Sequence, residues 1–156
     1  MSAVARSGAD LPPLPLAEWE PTKTTLHLWA QIVGKVRMAS APPRNHWWHV
    51  ALYVDVRGLT TRRLRAADGT AFRIDFDVLD HRLVASTDCG DVESFALVEG
   101  LSVAAFDEAR RGTLRGLAID VAIRESPFGV PVSASFPADR EQASYDADAV
   151  ERFWRI

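Results

Sequence analysis

The chain has 156 residues, 47% hydrophobic and 25% charged, with a formal net charge of −3, which fits one globular domain able to bury about two thirds of its unfolded surface. The mild negative charge speaks against nucleic acid or an anionic membrane as partner, and the lone Cys89 excludes an intrachain disulfide. No run approaches the roughly 20 apolar residues of a membrane helix, so a cytoplasmic protein without a membrane partner is expected.

Residues 1–15 carry Pro12, Pro13 and Pro15 and read as a disordered tail, leaving 16–156 as a single domain. A first helix is expected from Thr22 to Met38, entered just after Pro21, with Leu26, Trp29, Ile32, Val33 and Val36 on one apolar stripe. After the loop Ala41–Asn45 the period becomes two. Val50, Leu52, Val54 and Val56 alternate with Ala51, Tyr53, Asp55 and Arg57, the pattern of a half-buried strand. Further strands are expected at Thr60–Arg65, Phe72–Val78, Arg82–Thr87 and Val92–Val98, with turns at Ala67–Thr70, Asp80-His81 and Asp88–Asp91.

Ser102 is placed to cap a helix reaching Arg115, stopped by Gly116, with Val103, Phe106 and Leu114 inward. Ile119, Val121 and Ile123 alternate as a last strand. A proline-bearing connector over 125–144 then leads to a short helix capped by Asp146. The sum is an α+β fold: an antiparallel-rich sheet of four to five strands with helices packed on one face. The other face would present Trp47, His49, Tyr53, Asp55, Arg57, Arg73, Asp75, Asp77, Asp120 and Arg124 to solvent.

Several ordered motifs resemble one family. They are Trp19-Glu20-Pro21-Thr22, Thr25-Leu26-His27-Leu28, Gln31-Ile32-Val33-Gly34-Lys35, Asn45-His46-Trp47-Trp48, Arg57-Gly58-Leu59-Thr60-Thr61, Ile74-Asp75-Phe76-Asp77 with Asp80-His81, and Ser144-Tyr145-Asp146. Over residues 16–156 the chain resembles the bacterial family catalogued as domain of unknown function 5996. The resemblance implies that the chain corresponds to the N-terminal half of a longer protein, and it brings no catalytic residue with it.

Two groups of side chains are candidates for ligand binding. His27, Gln31 and Lys35 fall at i, i+4 and i+8, placing an imidazole, an amide and an ammonium along one helix face; a solvated stripe is the blander reading. His46 and Trp48 share the parity of Val50 and are expected in or beside the core. Trp47, His49 and Tyr53 would bring three rings together on the polar face, as a protein contact or as a stacking platform for a flat ligand, with Arg57 as anion partner in the latter case. The run Arg57, Arg62, Arg63, Arg65 lacks interleaved aromatics and reads as a hairpin with cross-strand ion pairs rather than a nucleic-acid contact. No metal-ligand spacing, phosphate loop or dinucleotide fingerprint is present, so no metal and no cofactor is expected. No reaction is specified.

The reading favoured is a non-catalytic interaction or assembly domain, paired as a homodimer or with a second polypeptide. The alternative is a small-molecule-binding protein or an enzyme using the polar face of the sheet.

Overall fold

A computed structural model describes residues 11–156. Most of the expected disordered tail, residues 1–10, lies outside the described residues, and Leu11–Pro15 runs without regular secondary structure into the first helix. That helix, α1 (Leu16–Ser40), begins before the expected Thr22 and carries Pro21 inside it. Pro21 still lies near the N-terminal end, where its missing N–H removes a single early helical bond, so the helix persists. Trp29, Ile32, Val33 and Val36 are fully buried as the stripe requires, joined by Leu28, while Leu26 is half-buried.

The sheet comprises β1 (Tyr53–Asp55), β2 (Gly58–Thr60), β3 (Leu64–Arg65), β4 (Ala71–Asp77), β5 (Arg82–Thr87) and β6 (Val92–Ala96). It is antiparallel throughout, in the order β1-β2-β4-β5-β6, with β3 also pairing β4. Directly opposed residues of an antiparallel pair share a face. Val54, Leu59, Phe76, Leu83 and Phe95 therefore line one side, and Tyr53, Thr60, Asp75, Val84 and Ser94 the other.

Helix α1 and α2 (Val103–Gly116) cover the first side. Ser102 caps α2 by accepting from the Ala105 amide at 3.1 Å, and α3 (Ala147–Trp154) is capped by Asp146, which accepts from Ala149 at 3.0 Å. The core centres on a column of rings. Trp29 stacks between Tyr145 (5.4 Å) and Phe106 (4.9 Å), and Phe106 stacks in turn on Phe76 (6.0 Å). Helix α3 packs against α1, with Phe153 on Trp19 at 5.1 Å.

Three expectations are corrected. The strand expected from Val50 to Val56 shrinks to three residues. Phe72, Ile74 and Phe76 are buried together as expected, but Leu52 is only half-buried, and Val54 and Val56 are 76% and 85% exposed. The parity was right, since Val54 opposes Leu59 on the core side. What fails is cover, because β1 is an edge strand and no helix covers Val54 or Val56. Second, His46 and Trp48 do not enter the core. Asn45–Trp47 is a 3-10 turn with His46 and Trp47 at positive φ, and Trp47 and Trp48 are both 69% exposed. Third, residues 119–123 form no strand.

Gly34 faces the carbonyl of Val50, which a Cβ would meet at 3.2 Å. The glycine is what lets α1 approach the segment leading into β1.

Candidate functional site

Motif residues far apart in the chain meet where α3 joins α1. The Asp146 amide donates to the Thr22 hydroxyl at 3.0 Å, and Thr22 also lies 3.3 Å from the Ser144 hydroxyl. The Tyr145 hydroxyl is hydrogen-bonded to Nδ1 of His81 at 2.9 Å, and Nε2 of His81 is 3.5 Å from Glu151. A phenol, an imidazole and a carboxylate in a row have the makings of a proton relay. Tyr145, however, is 3% exposed and lines neither cavity described below. The row ties α3 to the β4–β5 turn.

The stripe His27, Gln31, Lys35 seats the connector that follows α2. Gln31 donates to the Phe128 carbonyl and accepts from the Phe128 amide, both at 2.8 Å, so its amide substitutes for a strand partner. His27 lies 3.4 Å from Gln31. The Lys35 ammonium sits 5.8 Å over the ring of the buried Phe136; burial, and secondarily the charge of Arg124, hold its pKa below the ordinary lysine value.

The second candidate group is partly brought together. His49, expected to face solvent, is instead buried, because it lies in the turn before β1 rather than on the sheet: Trp47 stacks on it at 5.6 Å, and its Nδ1 accepts from the Arg44 amide at 3.2 Å. Arg57 is committed elsewhere, to Asp77 and Asp80, each at 2.7 Å. The cations beside Tyr53 are instead Arg37 and Arg62, 4.4 and 3.8 Å from its ring centroid. Arg37 was missed because an arginine is not looked for on an apolar stripe. Yet Trp29, Val33 and Arg37 stand at i, i+4 and i+8, and that spacing was the available signal.

A third feature is the segment 119–125. Ile119 is buried, Val121 and Ile123 are half-buried against the core, and Asp120, Ala122 and Arg124 are exposed. That is the period of a strand, but among the described residues no ladder forms on either side. Two cavities, about 440 and about 580 Å³, share Asp120, Val121 and Ala122 as a common wall. One is closed by Arg110, Arg111 and Arg115 of α2, the other by the end of α1 and Arg63 and Arg65 around β3. Among the described residues, no group of three or more His, Cys, Asp or Glu side chains gathers as metal ligands, and no helix is long and apolar enough to cross a membrane.

The chain's two tyrosines sit in opposite fields. The hydrogen bond from Arg37, with the charges of Arg37, Arg62 and Arg44, holds the Tyr53 phenol below its ordinary value. Burial, and then the charge of Glu151, pushes Tyr145 well above it. An ultraviolet titration is therefore expected to resolve two steps, the earlier one absent in Tyr53→Phe. Stability follows for Tyr145: above about pH 10 the unfolded chain releases a phenol proton that the folded chain retains. Stability then falls by up to about 1.4 kcal/mol per pH unit. Urea unfolding of wild type and Tyr145→Phe across that range should show the slope only in the wild type.

The model of a family of unknown function (DUF5996) matches residues 11–156, and the chain belongs to that family. No curated protein and no solved structure matches it.

Proposed function

We propose that this member of a family of unknown function is a non-catalytic assembly domain that pairs with a second copy of itself along residues 119–125. The observation carrying this reading is a segment with the burial pattern of a strand, tied at its ends by the Ile119 amide to Leu114 and the Glu125 carbonyl to Phe136, whose backbone over residues 120–124 has no strand beside it among the described residues. Unpaired backbone of that kind is a template for strand addition.

The sequence of the segment favours a second copy as the occupant. Antiparallel pairing about a two-fold axis through Ala122 sets Val121 opposite Ile123 and Asp120 opposite Arg124, twice over. Opposite charges directly across a pair stabilise it by roughly 0.2–1 kcal/mol each. Neither Asp120 nor Arg124 has an ion-pair partner among the described residues. Arg124 also lies close enough to Lys35 to depress its pKa, so a carboxylate from outside would relieve two cations at once. The free, exposed Cys89 suits a reducing, cytoplasmic setting.

Size-exclusion chromatography with light scattering at micromolar concentration tests this. The wild type should run as a dimer of the 17.2 kDa chain. Arg124→Asp should run as a monomer, and the charge swap Asp120→Arg with Arg124→Asp should dimerise again. A wild type that stays monomeric on concentration, or a dimer indifferent to Arg124→Asp, overturns the proposal.

A further inference from the structure

We infer that Arg37, Arg62 and the Tyr53 hydroxyl form a binding site for an oxyanion, a phosphate or carboxylate group, where the end of α1 meets β1. The first observation is a buried cation without a counter-ion. Arg37 is 6% exposed, donates to the Ala51 carbonyl and to the Tyr53 hydroxyl (3.1 Å), and its Nε has no partner among the described residues. No carboxylate reaches Arg37, Arg62 or Arg44 among the described residues. Arg110, the other arginine buried to this degree, has Asp107. A guanidinium taken out of water needs a compensating charge, and a second cation, Arg62, over the same phenol ring adds to the unbalanced positive field.

The second observation concerns how Arg62 is held. Its φ is 56°, a left-handed conformation that costs a Cβ-bearing residue energy. The turn is locked by the Arg62 amide donating to the Thr60 hydroxyl (2.9 Å) and the Thr61 hydroxyl donating to the Arg62 carbonyl (2.8 Å). This strained turn places the guanidinium 3.8 Å from the Tyr53 centroid. The Tyr53 oxygen already accepts from Arg37, which leaves its own hydrogen free to donate to a further acceptor.

The groups on offer are the Arg62 guanidinium, the N–H groups of Arg37 not spent on Ala51 and Tyr53, and one phenol, all donors, which selects an acceptor-only ligand and excludes amines and metal cations. Arg62 and Arg44 are exposed and Tyr53 is half-exposed, so the anion enters from solvent. The lowered pKa of Tyr53 reflects the same positive field. The site does not depend on pairing along residues 119–125.

The experiment titrates the full chain with inorganic phosphate and, separately, with succinate. Binding is followed by NMR of the arginine side chains and by the ultraviolet ionisation of Tyr53. Saturable binding is expected, with the Tyr53 titration moving to higher pH as the anion neutralises the field. The tighter of the two probes identifies phosphate or carboxylate as the preferred group. Arg62→Asn, chosen because asparagine tolerates positive φ, should weaken binding about tenfold, the loss of one charge-assisted contact, and Tyr53→Phe should weaken it measurably while leaving the fold intact by circular dichroism. No saturation below about 10 mM for either probe, or binding that both variants leave unchanged, overturns the site.

Discussion

Asp107→Ala is expected to destabilise the domain by about 3–5 kcal/mol, because it strands a buried cation. Asp107 and Arg110 are 1% and 2% exposed, one turn apart on the inner side of α2. The carboxylate takes Arg110 on one oxygen and Arg111 on the other, and Arg111 also reaches Glu125 at 2.8 Å. With Asp107 gone, Arg111 keeps Glu125 and remains 41% exposed, so it loses little. Arg110 keeps nothing, and its Nε is already without a partner. A loss of that size corresponds to a melting temperature lower by about 10–15 °C for a domain of this length. Removing both charges tests the cause: Asp107→Leu with Arg110→Met should cost less than Asp107→Ala alone, since no charge is left buried. A double variant at least as unstable as the single one would locate the effect in packing instead.

The same cluster bears on the proposed dimer. Arg111 holds Glu125, at the end of the segment 119–125, against α2. Any variant that loosens α2 should also weaken pairing, so Arg124→Asp, whose side chain is exposed, is the cleaner probe of the interface.

Much of this fold was legible in the sequence, and the failures share a cause. Residues 82–87, the caps Ser102 and Asp146, and the burial of Phe72, Ile74 and Phe76 follow from local patterns that the tertiary structure satisfies. Alternation gives the direction of Val54 correctly but not its burial, because period reports which way a side chain points, not whether a helix lies there, and Val56 falls in the turn beyond the strand. The same gap separates the strand pattern at 119–123 from its missing ladder, since hydrogen-bonding partners are not encoded in a segment's own period. Of the candidate site, Tyr53 could be named from sequence. For Arg37 the sequence offers only its place in one row with Trp29 and Val33, and for Arg62 only a run of arginines; what marks both, the absence of any carboxylate nearby among the described residues, is known only once the chain is folded. Arg57, the expected anion partner, is instead paired with Asp77 and Asp80.

Gly58→Ala is expected to cost about 3–5 kcal/mol, from overpacking and backbone strain together. Gly58 has φ 150°, a backbone region that side-chain-bearing residues rarely adopt, and a Cβ there would lie 1.9 Å from the Phe76 carbonyl oxygen. Backbone, unlike a side chain, cannot swing aside. The Phe76 carbonyl belongs to β4, the strand that β2, β3 and β5 all pair with, so the strain falls on the centre of the sheet. The structure can relieve it by parting β2 from β4, which breaks the register Gly58↔Asp77, Leu59↔Phe76 and Thr60↔Asp75. Strand β1 hangs on β2 alone, and Tyr53, opposite Thr60, would leave with it. The turn that holds Arg62 starts from that same Thr60. Hydrogen exchange should therefore show the amides of residues 53–62 losing protection first, with β4 and β5 still protected below the global transition. Phosphate affinity at Tyr53 should drop in the same variant before the fold is lost. Uniform loss of protection across all six strands would mean instead that the hairpin and the sheet open as one unit, and that the site is as stable as the core behind it.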